Sequence, residues 1–181
     1  MSVPGQETLS IRPVHINDTP ALYRVCLLTS DAGQSAEFSH QFPELPGLYY
    51  IDPLVKQPPT FGFVLVSSTS EVREEILGYL LATTDTRRHQ AIIEEKCYEP
   101  LRPKYPIDPY PTGSTARDQF IINRIHKPLI RPQHLVDMTP THIHLNILPQ
   151  AQRQGWGVKL IDYAVNHLKQ MGQSGLFLGI G

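Results

Sequence analysis

The last third of the chain carries the clearest regular spacing of apolar side chains. Residues 141–148 (THIHLNIL) alternate, with one side formed by His142, His144 and Asn146 and the other by Ile143, Leu145 and Ile147. This period of two predicts a strand that ends before Pro149. Apolar residues then recur at helical spacing over residues 156–171, and Gly172 is suited to cap that helix. Residues 176–180 (LFLGI) predict another strand, so we expect a strand–helix–strand unit with parallel strands.

Upstream, shorter patterns alternate between strand and helix. The predicted strands are 9–13, 61–67 and 76–84, of which the last two form an antiparallel hairpin. The predicted helices are one that begins near Pro20 and stops near residues 31–33, then 46–56, 87–98 and one that begins near Phe120. Together they predict an α/β (α+β) fold: a mixed, mostly antiparallel sheet flanked by helices.

Proline is over-represented, with 17 in 181 residues. Eight of them fall between Pro100 and Pro140, and residues 103–115 read PKYPIDPYPTGST. Because core-like segments lie on both sides, we interpret residues 100–116 as a proline-rich insertion within one domain spanning 1–181.

Composition and charge narrow the function classes. The chain is 40% hydrophobic, with 16 basic and 17 acidic residues and a net charge of −1. This balance favours a folded protein and gives no overall attraction to nucleic acid or an anionic membrane. Cys26 and Cys97 form neither a disulfide framework nor a zinc motif. We expect a cytoplasmic protein, with the nucleus left open, and no bound metal.

The loop between the predicted strand 141–148 and the helix that follows it holds the one motif that indicates a ligand-binding site. Gln152, Gly155 and Gly157 form Gln-x-x-Gly-x-Gly where the strand passes into the helix. A helix N-terminus offers free N–H groups and a positive dipole end, and glycine lets a phosphate approach the backbone closely. The spacing fits neither the dinucleotide fingerprint nor a P-loop.

In this position the motif resembles the pyrophosphate-binding motif of the GNAT superfamily of acetyl-CoA-dependent N-acetyltransferases. The stretches 11–33, 142–157 and 175–181 look closest to the acetyltransferase-like domains of O-GlcNAc hydrolases and their standalone bacterial and fungal relatives. The resemblance implies a GNAT-like sheet with a central parallel βαβ unit. It also implies a further helix and hairpin after the last strand, which this sequence lacks.

The resemblance further implies the ligands. Acetyl-CoA is the expected co-substrate, and an amine of a small molecule or a protein lysine is the expected acceptor, attacking the thioester directly. The expected cofactor-binding residues are Ile147, Leu148, Gln152, Arg153, Gln154, Gly155, Trp156, Gly157 and Val158. The acetyl carbonyl is expected to accept a hydrogen bond from a backbone N–H near Leu148.

Three polar residues of the strand are candidate catalytic groups: His144, His142 and Asn146. Histidine titrates near neutral pH and suits a general base, whereas the amide of Asn146 cannot act as one. Some relatives, the arylalkylamine acetyltransferases, carry His-x-His on this strand, but the pair here lies one residue out of register. A structural role for both histidines therefore stays open.

Two other functions also remain open at this stage. One is a catalytically weak sensor that binds acetyl-CoA or CoA, and the other is an interaction module. The predicted last strand is apolar, and an open edge there predicts a possible homodimer.

Overall fold

The computed structural model describes residues 8–69, 74–173 and 175–178, and five strands form one sheet in chain order. The strands are β1 (Thr8–Pro13), β2 (Thr60–Ser68), β3 (Glu75–Thr83), β4 (His142–Ile147) and β5 (Phe177–Leu178). β1 to β4 pair antiparallel, and β4 pairs parallel with β5. This confirms the mixed, mostly antiparallel sheet and its parallel unit.

Seven α-helices accompany the sheet within the described residues. They are α1 (Thr19–Leu27), α2 (Leu45–Tyr50), α3 (Asp52–Lys56), α4 (Thr86–Ile93), α5 (Ala116–His126), α6 (Gln133–Met138) and α7 (Trp156–Gln170). α7 runs beside Ile147, since a Cβ on Gly157 would lie 3.7 Å from the Ile147 Cδ1 atom. Tyr50 of α2 instead stacks on His144. Because neighbouring residues of a strand point to opposite faces, helices cover both faces of the sheet.

Where the structure departs from the predicted elements, the backbone gives the reason. The predicted helix 46–56 is two short helices that meet at Ile51, and Pro53 lies in the first turn of the second. The predicted helix 87–98 is α-helical only to Ile93 and continues as a π-helical turn over Glu94–Tyr98. Helix α6 was not predicted. The predicted strand 176–180 is observed as β5 over Phe177–Leu178, and its last two residues, 179 and 180, lie outside the described residues.

The core consists of two clusters of buried side chains. The larger lies between the sheet and helices α1 and α7, with Leu22, Tyr79 and Leu160 fully buried. The smaller joins α5 to the proline-rich segment, where Tyr105 is only 1% exposed. The segment interpreted as an insertion is therefore anchored by a buried aromatic side chain.

Candidate active site

A groove opens at the C-terminal end of β4, where the motif loop begins. It has a volume of about 320 Å³. Its lining residues are Thr29, Gly33, Leu145, Asn146, Ile147, Ala151, Gln152, Arg153, Gly155, Trp156 and Gly157. Six of the nine predicted cofactor residues thus lie along one groove, whereas Leu148, Gln154 and Val158 are not among its lining residues.

The backbone of β4 offers hydrogen-bonding groups to this groove. The N–H of Leu148 donates to the Leu77 oxygen at 2.8 Å, and the Phe177 N–H donates to the Thr141 oxygen at 2.9 Å. Because such groups alternate along a strand, the backbone groups of Leu145 and Ile147 face away from β3. The N–H expected near Leu148 is therefore engaged by β3, and the groups that face the groove belong to Leu145 and Ile147.

The motif loop gives helix α7 a sharply turned start. Gly155 precedes the helix in the left-handed region with φ of 81°, and Arg153 also has a positive φ, of 60°. The N–H groups of the first turn lack partners within the helix, and that turn carries no acidic residue. Lys159 lies over the Trp156 ring, with its Nζ 3.9 Å from the ring centroid. This end of α7 is therefore electropositive and suits an anion such as a pyrophosphate.

The side chain of Gln152 bridges two segments that line the groove. Its side-chain amide nitrogen donates to the Ile147 oxygen at 2.8 Å and to the Gly33 oxygen at 3.3 Å. It thereby joins the end of β4 to the loop after α1. Thr29 and Gly33 were missed as site residues, and the only sequence signal near them was the predicted helix end at residues 31–33.

A hydrogen-bonded trio lies beside the groove on the face of the sheet covered by α2. The Asn146 Nδ2 atom donates to the Tyr79 hydroxyl at 3.0 Å, and that hydroxyl lies 3.0 Å from His144 Nε2. An amide nitrogen can only donate, so the phenol oxygen accepts from Asn146. We assign the phenol proton to the bond with His144 Nε2, which places the imidazole proton on Nδ1. Tyr79 therefore orients both predicted residues.

The surroundings of this trio keep its members neutral. Burial raises the pKa of Tyr79 well above its usual value. The residue His144 is half-buried, and desolvation by burial, with the charge of Arg131, lowers its pKa to about 4. Near neutral pH, His144 is an uncharged ring, and a weak base.

His142 is more deeply placed and has a different partner. It is 8% exposed, and its Nδ1 lies 2.9 Å from the Thr86 hydroxyl. That hydroxyl donates its one proton to the Pro140 oxygen at 2.6 Å, so His142 Nδ1 carries a proton and donates to Thr86. Burial, with smaller effects of Arg131 and the other histidines, lowers the pKa of His142 to about 3. The bond to Thr86 fits the structural role left open for this histidine.

The described part of the chain contains neither a cluster of metal-ligating side chains nor a helix that could span a membrane. No group of three or more residues with metal-ligating side chains is present there. No helix within residues 8–69, 74–173 and 175–178 is long and apolar enough to cross a membrane.

Comparison with solved structures places this sheet in a known fold class. The crystal structure of SsHAT matches 94% of this chain and 82% of its own, with 25% identity and a TM-score of 0.75. A GCN5-related N-acetyltransferase from Ralstonia eutropha JMP134 matches 96% and 84%, with 14% identity and a TM-score of 0.50. A predicted acetyltransferase from Clostridium acetobutylicum, crystallised with acetyl-CoA, matches 96% and 82%, with 10% identity and a TM-score of 0.49. No protein-family model matches the chain.

The fold is therefore that of the GCN5-related N-acetyltransferases, the GNAT superfamily that the motif resembles. Of these three structures, SsHAT has the highest TM-score and the highest identity. The closer resemblance to domains of O-GlcNAc hydrolases is not tested by these structures and stays a prediction.

Proposed function

We propose that this protein binds acetyl-CoA in the groove between β4 and α7 and transfers the acetyl group to a primary amine. The observation that carries the proposal is the groove itself. The groove is lined both by the residues of β4 whose backbone groups face away from β3 and by the electropositive start of α7. Acetyl-CoA has an amide-containing arm and a pyrophosphate, which match these two kinds of partner.

Each part of the groove has a defined task in this proposal. The first-turn N–H groups of α7 bind the pyrophosphate, with Arg153 and Lys159 adding positive charge. The N–H of Leu145 or Ile147 donates to the acetyl carbonyl, and this bond strengthens as negative charge develops on the oxygen. Gln152 keeps the end of β4 and the loop after α1 in register. Loss of any of these parts is expected to weaken binding rather than unfold the chain.

The chemical step is a direct substitution at the thioester. The nitrogen of an uncharged amine attacks the carbonyl carbon, the C–N bond forms, the C–S bond breaks, and the thiolate of CoA leaves. The amine must lose one proton before attack and a second one afterwards. We propose that His144, oriented by Tyr79 and flanked by Asn146, contacts the acceptor through its Nδ1–H side. His142 supports the strand beside it.

One observation favours a second candidate, a CoA-binding module with little turnover. The pKa values of His142 and His144, about 3 and 4, make both rings weak proton acceptors. An enzyme with this site relies on acceptor molecules that arrive uncharged or on water for proton transfer.

The test separates binding from turnover. Binding of acetyl-CoA is followed by the fluorescence of Trp156, the chain's only tryptophan and a groove residue. Turnover is followed by release of the CoA thiol with a panel of primary amines. Saturable binding with amine-dependent thiol release supports the transferase. Binding without release with any amine supports the module, and the absence of both contradicts the proposal.

A further inference from the structure

A second cavity, which we call the α1 cavity, lies between helix α1 and the segment that leads into α2. Its volume is about 370 Å³, within the range of small-molecule sites. Its lining residues are Tyr23, Arg24, Leu27, Leu28, Glu37, Pro43 and Glu44. Four of these seven are apolar or aromatic, and the other three are charged. The α1 cavity therefore suits a small molecule that is partly apolar and partly charged.

The α1 cavity adjoins the groove that we assign to acetyl-CoA. Leu28 lines the cavity, and the next residue, Thr29, lines the groove. Further along the same segment, Gly33 lines the groove and Glu37 lines the cavity. The hydrogen bond from Gln152 to the Gly33 oxygen, at 3.3 Å, joins this segment to the motif loop. A molecule in the α1 cavity therefore lies next to the groove.

A buried tyrosine orients one carboxylate of the α1 cavity. Glu44 Oε1 accepts from the Tyr105 hydroxyl at 2.6 Å, and Tyr105 is only 1% exposed. Lys104 Nζ lies 3.8 Å from the same oxygen, and its side chain is 63% exposed, so this contact contributes little. Within the described residues, no hydrogen bond or ion pair involves Glu44 Oε2. The carboxylate is therefore held in place and keeps one oxygen for a ligand.

The second carboxylate of the α1 cavity, that of Glu37, belongs to an anchored segment. The Ala36 N–H donates to the Leu27 oxygen at 3.0 Å, and the Thr115 hydroxyl donates to the Ser39 oxygen at 2.8 Å. In the part of the chain that the structure describes, the Glu37 carboxylate has neither an ion pair nor a hydrogen bond. It is therefore available to a cation that enters the cavity.

The charges of the α1 cavity favour a cationic ligand. Arg24 is the one cation among the described residues that line it. The Arg24 guanidinium lies 3.6 Å from Glu75 of β3, so its charge is already partly balanced. Glu37 and Glu44 bring two negative charges to the same cavity. The cavity therefore attracts positive charge, and its apolar side chains can pack against an alkyl chain.

We propose that the acceptor is a small linear diamine, of which one amino group attacks the acetyl group while the other, as an ammonium ion, is bound by Glu37 and Glu44 in the α1 cavity. This inference rests on the proposed function. An ammonium ion has three N–H donors, which the carboxylate oxygens accept. The attacking amino group loses one proton before attack and one after it, and the bound ammonium ion keeps its charge throughout.

A second positive charge on the acceptor also assists the chemical step. In a short diamine, the ammonium ion at one end lowers the pKa of the amino group at the other end, because like charges repel. More of the attacking groups are therefore uncharged at neutral pH. This suits a site in which His142 and His144 are weak proton acceptors.

Two pairs of amines matched in chain length test the inference: putrescine with butylamine, and cadaverine with pentylamine. The CoA thiol released by the wild-type protein and by each variant is measured with each amine, and rates are expressed per uncharged amino group. Trp156 fluorescence measures acetyl-CoA binding by each variant.

The variants are Glu37→Gln, Glu44→Gln and the control Glu99→Gln. Glutamine at position 44 still has an oxygen that can accept from Tyr105, but it lacks the charge. Glu99 is the control because it is an exposed glutamate that lines neither the α1 cavity nor the groove.

For the wild-type protein we expect kcat/KM per uncharged amino group to be at least about 10-fold higher for the diamine of one pair or both. Glu37→Gln and Glu44→Gln each reduce that preference by raising the KM for the diamine, without a change in acetyl-CoA affinity, whereas Glu99→Gln retains it. Equal or better use of the monoamines, or a preference that survives in both cavity variants, overturns the inference alone. The absence of thiol release from any amine, with or without acetyl-CoA binding, overturns the proposed transferase and this inference with it.

Discussion

Replacing Gly157 by alanine separates a ligand-binding glycine from one that only shapes a turn. The φ of Gly157 is not in the left-handed region, and an added Cβ would lie 3.7 Å from Ile147 Cδ1, an ordinary contact. Alanine is also a better helix former than glycine. We therefore expect Gly157→Ala to be between neutral and about 1 kcal/mol more stable, a rise in Tm of up to about 4 °C for a chain of this size.

The same methyl group points into the site that we assign to the pyrophosphate. Gly157 lines the groove, so an added methyl group keeps the ligand away from the first-turn N–H groups. We expect affinity for acetyl-CoA to fall by about 10-fold or more, which corresponds to at least about 1.4 kcal/mol. Trp156 fluorescence gives the affinity, and thermal unfolding gives the stability.

A matched pair of variants controls for backbone strain. Gly155 and Gly172 lie at opposite ends of α7, both with positive φ, 81° and 74°, and neither would have an atom within 4 Å of an added Cβ. Alanine in this conformation costs about 1–2 kcal/mol at either position. We expect both variants to lose similar stability, but only Gly155→Ala to lose acetyl-CoA affinity. Normal acetyl-CoA binding by a folded Gly157→Ala would refute the assignment of the groove.

Three further outcomes follow from the trio and the buried histidine. Since the pKa values of His142 and His144 are lowered from 6.5 to about 3 and 4, the unfolded chain binds their protons more readily. The two histidines therefore contribute their full stabilisation above pH 6.5, and the free energy of unfolding falls by about 1–2 kcal/mol per histidine between pH 7 and pH 5. Equal midpoints of urea unfolding at the two pH values would contradict this. The rate of thiol release should rise from pH 6 to pH 9 with deprotonation of the acceptor, without a step near pH 6.5, and such a step would show that a histidine titrates normally. Tyr79→Phe should lower kcat, leave the KM for acetyl-CoA unchanged and shift the His144 Nε2 resonance in 15N NMR, whereas Tyr163→Phe on the exposed face of α7 should change none of these.

Much of the fold follows from local patterns, but the partners within the site do not. The alternation of residues 141–148 and the helical spacing after Trp156 predict β4 and α7 almost to the residue, because burial of one face determines both. Helix α6 was missed because, as a short segment after Pro132 with no buried residue, it has little apolar periodicity.

Within the predicted site, too, local features can be recognised from the sequence, whereas contacts between distant residues cannot. The motif glycines and Gln152 are recognisable because a helix start has a fixed local geometry. The contacts of Tyr79 with His144 and Asn146 join residues more than 60 positions apart, so no local pattern reveals them. The backbone groups of β4 that face the groove depend on how β4 is aligned with β3, and the sequence leaves this alignment open by one residue. In the structure the Leu148 N–H pairs with β3, so the N–H groups that face the groove are those of Leu145 and Ile147.

Titration of acetyl-CoA into the wild-type protein by calorimetry, repeated with Gly157→Ala, tests the central assignment most directly. We predict saturable binding of one acetyl-CoA per chain, which the alanine variant weakens by about 10-fold or more without loss of thermal stability. A folded wild-type chain that shows no binding at millimolar acetyl-CoA, or a variant that binds as tightly as the wild type, would contradict the assignment.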